Sequence, residues 1–218
     1  MIRKIIPQDT ILKHLYLGII FSMIIVSCGL FESNEQGGGF ADKVYIALQN
    51  LDQVGIMDIG TETIQVINCE GEYPHFIVVD EINGYWFVTT STSGYVERYR
   101  LDTDTLIDKL YLGDFPALMV LNEINKKLYV SRMMPMPGTE SSTKIIHEID
   151  YADPAQMAIS HEYELDSPDP HGIAINTDGS EVYSVSNTAD WLYKIIPEAD
   201  SPIESVVMDP TSPNSEAS

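Results

Sequence analysis

Two histidines stand at matching places in the chain, Tyr73-Pro-His75 and Asp169-Pro-His171. A neutral imidazole is a good ligand for zinc, copper or haem iron, so a fold that brings these places together could hold such an ion. The competing reading is structural, with Pro-His as a turn whose ring bonds a neighbouring carbonyl. A third matching place carries Ala117, which breaks any ring of ligands. Met133, Met134 and Met136 offer soft thioether sulfur, suited to Cu(I) in an oxidising compartment. They also suit the plainer task of padding a loop against apolar surface. His147 and His161 fall inside strand-like runs and read as ordinary surface or cross-strand residues. Carboxylates gather in turns (Asp80, Glu81, Asp102, Asp104, Asp166, Asp169, Asp178), where they cap local amides, and Asp102-Thr-Asp104 lacks the spacing of a calcium loop. The chain contains no nucleophile elbow, phosphate loop, dinucleotide fingerprint, His-Glu-Xaa-Xaa-His or haem-attachment motif. No cofactor is expected beyond the divalent metal or copper these side chains could hold. A catalytic site is still possible, because sites gathered from distant loops leave no local motif.

The elements that must position these residues are short strands. Gly172–Ile175 is apolar, Asn176-Thr-Asp-Gly-Ser180 turns, Glu181–Ser186 is β-prone, Asn187-Thr-Ala-Asp190 turns, and Trp191–Ile196 alternates. Ile203–Asp209 completes this unit. The same order of runs and turns begins at Pro74 and again at Pro116, the latter interrupted by the methionine-proline loop. An earlier unit has three runs, Lys43–Leu48, Val54–Ile59 and Thr63–Asn68, with no inner strand before them. A period of about forty residues with four strands per copy points to propeller blades. No segment after the leader shows helical periodicity.

The segment Pro170-His-Gly-Ile-Ala-Ile-Asn-Thr-Asp-Gly-Ser-Glu-Val-Tyr-Ser-Val-Ser-Asn187 resembles the repeat of YVTN-type β-propellers, with Phe87–Thr90 and Tyr129–Arg132 as looser matches. The resemblance covers residues 42–209. It implies an all-β propeller of about four four-stranded antiparallel blades, the first incomplete. Members of that family include surface lipoproteins, lactonase-like enzymes and haem- or copper-protein domains, so it does not select a function. Complete propellers of this type have seven blades. The chain is therefore either part of a larger propeller or an open arc that pairs with another copy. Truncation is preferred, because an uncovered blade face and edge invite aggregation.

Charge narrows the partners. Twelve basic residues face 33 acidic ones, for a net charge of −21. Such a surface repels nucleic acid and favours cationic partners or simple solubility. The exception is the amino terminus, where Arg3, Lys4 and Lys13 precede an apolar core from Leu15 to Val26, too short to span a bilayer. The segment Ile25-Val-Ser-Cys28 resembles the lipobox of bacterial lipoproteins, which implies cleavage after Ser27 and acylation of Cys28. Gly29 is compatible with sorting to an outer membrane. The expected organisation is a signal peptide (1–27), a polar glycine-rich tether (28–41), the blades (42–209) and a polar tail (210–218). Cys69 is left without an intrachain partner and reads as a small buried hydrophobe. The expected function is a non-catalytic binding or scaffold module for an envelope protein, peptide or glycan. The alternative is a metal-dependent hydrolase or redox-associated domain built on His75 and His171.

Overall fold

The computed structural model describes residues 42–113, 115–132 and 144–211. The first sheet is three-stranded: β1 (Lys43–Leu48), β2 (Gln53–Asp58) and β3 (Thr63–Asn68). The second holds β4 (Pro74–Asp80), β5 (Tyr85–Thr90), β6 (Tyr95–Arg100) and β7 (Leu106–Tyr111). The third holds β8 (Pro116–Asn122), β9 (Lys127–Arg132), β10 (Ile145–Asp150) and β11 (Ala158–Glu164). The fourth holds β12 (Pro170–Ile175), β13 (Val182–Ser186), β14 (Trp191–Ile195) and β15 (Ile203–Val207). Each sheet is an antiparallel meander in chain order, and the inner strands β4, β8 and β12 touch one another in succession. These are the expected propeller blades. The one helical element among the described residues is a 3-10 turn at Gln49–Leu51.

Strand alternation distributes the apolar side chains between neighbouring blades. On β5, Trp86 and Val88 face the first sheet, where they meet Val54 and Ile56, while Phe87 faces the third sheet and meets Leu128 and Tyr151. The third and fourth sheets enclose Tyr129, Ile146, Val182, Tyr193 and Ile195. Blades are therefore joined by their faces, not by shared strands.

Hydrogen bonds identify which strand the first sheet lacks. Cys69 N donates to Asp52 O just as Leu112 N donates to Gly94 O, Leu165 N to Lys144 O, and Met208 N to Asp190 O. Each bond joins the residue after an outermost strand to the residue before its neighbour. So β3 is an outer strand, β2 a third and β1 a second. The inner position is the one unfilled among the described residues, as the sequence pattern predicts.

The inner strands begin earlier than their apolar runs suggest, at Pro74, Pro116 and Pro170, and each has a register shift next to its proline. The residue before each proline, Tyr73, Phe115 or Asp169, takes a φ of 61°, 49° or 54°. Three non-glycine residues in the left-handed region at one repeat position mark a shared blade-entry geometry. The leader and tether (1–41), with Cys28, lie outside the described residues. So do Met133, Met134, Met136 and the end of the tail.

Candidate functional site

The blade-entry loops place His75 and His171 at the same end of the assembly, on the inner strands β4 and β12. Between them lies Ala117 of β8, fully buried. A methyl group at that place leaves the flanking rings room to approach, and their centroids are 6.3 Å apart. The sequence pattern treats Ala117 as a gap in a ring of ligands, whereas in the fold it lets the two histidines meet. Hydroxyls fix the strand beneath them: Thr89 Oγ1 donates to Ala117 O at 2.8 Å and Ser91 Oγ to Pro116 O at 2.6 Å.

Each ring has one nitrogen committed, and in opposite senses. His171 Nδ1 lies 3.0 Å from Arg132 O. A carbonyl only accepts, so this nitrogen carries the proton and Nε2 of the neutral ring keeps its lone pair. His75 Nδ1 lies 2.7 Å from Gln49 Nε2, an amide nitrogen that only donates, so here Nδ1 accepts and Nε2 carries the proton. Burial and the neighbouring His171 hold the His75 imidazole below its ordinary range, keeping it neutral. The pair thus offers one donor and one acceptor side by side. Such a pair matches a group that both donates and accepts, such as a peptide amide or a sugar hydroxyl.

Arg132, like Gln49, is a site residue that the sequence pattern does not single out. Its carbonyl orients His171, while its buried guanidinium donates to Leu112 O, Gly113 O and His147 Nδ1 at 3.1, 2.7 and 2.6 Å. His147 Nε2 in turn meets Glu162 Oε1 at 2.9 Å. His147 is therefore buried, which corrects the surface part of its expected role. Its cross-strand partner is the predicted kind of neighbour, since His147 and Glu162 are paired in register. Burial and the adjacent guanidinium push its pKa down to about 3. The signal for Arg132 was present: a cation ends Tyr129-Val-Ser-Arg132 where the sister strands carry Thr90 and Ser186. His161 is exposed, as its surface reading expects; its ring centroid lies 4.3 Å from that of Tyr163, two residues on along the same strand, and its partner across the sheet is Glu148.

The turn aspartates divide into two kinds. Asp178 accepts from Ser180 N in the predicted local manner, and Asp58 and Asp150, outside the predicted set, accept likewise from Thr61 N and Ala152 N. Asp104 instead accepts from Lys43 Nζ, Tyr45 OH and Trp86 Nε1, tying the first sheet to the second. Asp80 caps Asn83 N and also accepts from Tyr151 OH, tying the second sheet to the third. Asp169 departs from the expected local cap: it is buried, its Oδ1 has no partner among the described residues, and burial raises its carboxyl above the usual range.

At the opposite end, a cavity of about 360 Å³ lies between the third and fourth sheets, lined in part by Lys127, Glu148, Asp178 and Glu198. Lys127 is engaged there by Glu148 at 3.3 Å and Asp150 at 3.0 Å. Among the described residues, no three or more His, Cys, Asp or Glu side chains converge as a metal site.

No known family profile matches the sequence, and no curated protein does. Similarity appears in three dimensions. The chain resembles the β-propeller domain of Cps50 (Swd1) from Myceliophteria thermophila, with a TM-score of 0.61 and 15% identity over 77% of this chain and 58% of that one. It resembles a chain of the mitotic checkpoint complex, with a TM-score of 0.62 and 14% identity over 78% and 48%. It also resembles hydrazine synthase from Kuenenia stuttgartiensis, with a TM-score of 0.60 and 16% identity over 71% and 43%. The chain spans roughly half the length of each, and at these identities the likeness is one of fold.

Proposed function

We propose that this protein is a lipid-anchored β-propeller of the cell envelope that acts as a non-catalytic binding or scaffold module, with its ligand docking at the His75–His171 end. Two contacts carry the reading, Gln49 Nε2 to His75 Nδ1 at 2.7 Å and Arg132 O to His171 Nδ1 at 3.0 Å, which in neutral rings leave complementary tautomers. Gln49 and the Arg132 carbonyl set one imidazole as donor and the other as acceptor, which suits recognition of a peptide or glycan. The acidic composition adds a preference for a partner with cationic groups. The lipobox-like Ile25-Val-Ser-Cys28 supplies the anchor, and two or more acyl chains hold a protein on a membrane stably.

The test uses a benzophenone amino acid at Asn50, an exposed neighbour of Gln49. In the producing cell it should give a discrete crosslinked adduct in the envelope fraction, lost in His75→Ala and His171→Ala. Cys28→Ala should release the protein from that fraction.

The 6.3 Å approach of the rings favours a second reading, a metal-dependent hydrolase or redox-associated domain. Both Nε2 atoms can ligate an ion once the Gln49 amide turns and its oxygen accepts from His75 Nδ1. Stoichiometric metal in the purified protein, lost on substituting either histidine, would replace the first reading with this one.

A further inference from the structure

The two ends of the blade series carry unpartnered apolar faces, and the repeat register shows what each is shaped to meet. On the first sheet, Val44 is paired with Met57 and Met57 with Ile64, while Ile46 is paired with Gly55 and Gly55 with Val66. Paired residues share a face, so these side chains form one apolar surface. Its members Val44, Ile46, Ile64 and Val66 are between 42% and 64% exposed. The position of Val44 is that of Trp86, Leu128 and Val182 in the later sheets, and all three are buried against the preceding blade. This face therefore lacks its preceding blade among the described residues.

On the fourth sheet, the register Gly172–Val185–Leu192–Val206 builds an apolar row of the opposite kind of face, and the adjacent row Ala174–Tyr183–Lys194–Glu204 adds a tyrosine ring and an ion pair of 2.7 Å between Lys194 and Glu204. An apolar cavity of about 200 Å³ lies along it. The position of Tyr183 is that of Tyr45, Phe87 and Tyr129, which pack on the following blade in every other sheet. This face lacks its following blade among the described residues. One end of the molecule thus presents the surface that the other end is built to receive.

We infer that a second copy of this chain fills both faces, the fourth sheet of one copy stacking head to tail on the first sheet of the other. The contact continues the interface already made three times between successive sheets. Two copies supply eight sheets, within the range of closed propellers. A head-to-tail contact closes into a ring when its rotation allows, and here the ring is a two-fold dimer. The inference is independent of the ligand proposed for the histidine end.

Native mass spectrometry of the detergent-solubilised, anchored protein tests it, the anchor being common to every variant. Wild type should be dimeric, and more so at higher salt, because screening weakens the repulsion between two strongly acidic copies. Ile64→Glu, blocking the first-sheet face, and Val206→Glu, blocking the fourth-sheet face, should each shift the protein to monomer. Both positions are exposed, so circular dichroism should stay at the wild-type spectrum. Mixing the two variants should restore a dimer with one copy of each, because the mixture retains one unaltered contact. A monomeric wild type would overturn the inference, and further blades on the same polypeptide would give that result. An unaffected oligomer in either variant would also overturn it, as would a mixture that stays monomeric.

Discussion

The second and third sheets differ from the first and fourth in how they use the same alternating pattern. The inner two bury both faces and carry charge inside. Glu97 accepts from Gly71 N and Tyr99 OH, Arg98 binds Asp108 and stacks on Tyr85, and Glu148 accepts from Ser160 Oγ and Tyr163 OH. Among the described residues the outer two bury one face and leave the other uncovered, apolar on the first sheet and apolar beside a Lys194–Glu204 ion pair on the fourth. A strand of this chain is core or surface according to what stands beside it, not according to its own composition. Buried charge is tolerated in the middle because backbone amides, tyrosine hydroxyls and opposite charges complete it.

The sharpest test of this contrast is truncation on either side of it. Phe87→Ala removes a fully buried ring between the second and third sheets and should cost about 3–5 kcal/mol. Ile64→Ala, on the open face, should stay within about 0.5 kcal/mol in dilute protein. Urea unfolding checks both, and equal losses would break the comparison.

Glycines give the next largest effect. A Cβ on Gly71 would sit 2.7 Å from Thr90 Cβ, beside the buried Glu97 carboxylate, so Gly71→Ala should cost about 1–3 kcal/mol. Gly60 in the first sheet meets nothing closer than 3.5 Å, and Gly60→Ala should leave the urea midpoint almost unmoved.

Acid should act first on the third sheet. The folded pKa of His147, about 3, lies below its unfolded value, so the unfolded chain binds the extra proton between pH 3 and about 6.5. Stability is then full above pH 6.5 and falls as pH drops, by up to about 1.4 kcal/mol per unit. Urea midpoints between pH 7 and 5 should decline less steeply in His147→Gln than in wild type. The smallest effect is chemical. Burial, with Glu97 and Asp52 nearby, raises the Cys69 thiol to about 12. Iodoacetamide at pH 8 should therefore label it at least tenfold more slowly than in urea, read by peptide mass spectrometry.

Much of the fold was legible beforehand. Pro74, Pro116 and Pro170 mark the blade entries, and the apolar runs locate all fifteen described strands to within a few residues. The incomplete first blade follows from the missing proline-led run before Lys43. The site was legible only in part. His75 and His171 stand out by repetition, whereas Gln49 and Arg132 do not. Gln49 sits in the partial unit where no sister copy aligns with it, and Arg132 acts through its backbone carbonyl, a group every residue has. His147 looked like a surface residue because nothing in Ile145–Asp150 says that a guanidinium from β9 lies over it.

Local pattern thus determined strands, turns and repeat period, since these depend on backbone preference and on side chains two residues apart. Partnership was decided only when the sheets stacked. Ring separation, tautomer and buried charge depend on atoms tens of residues away along the chain, and no local run of sequence contains those distances.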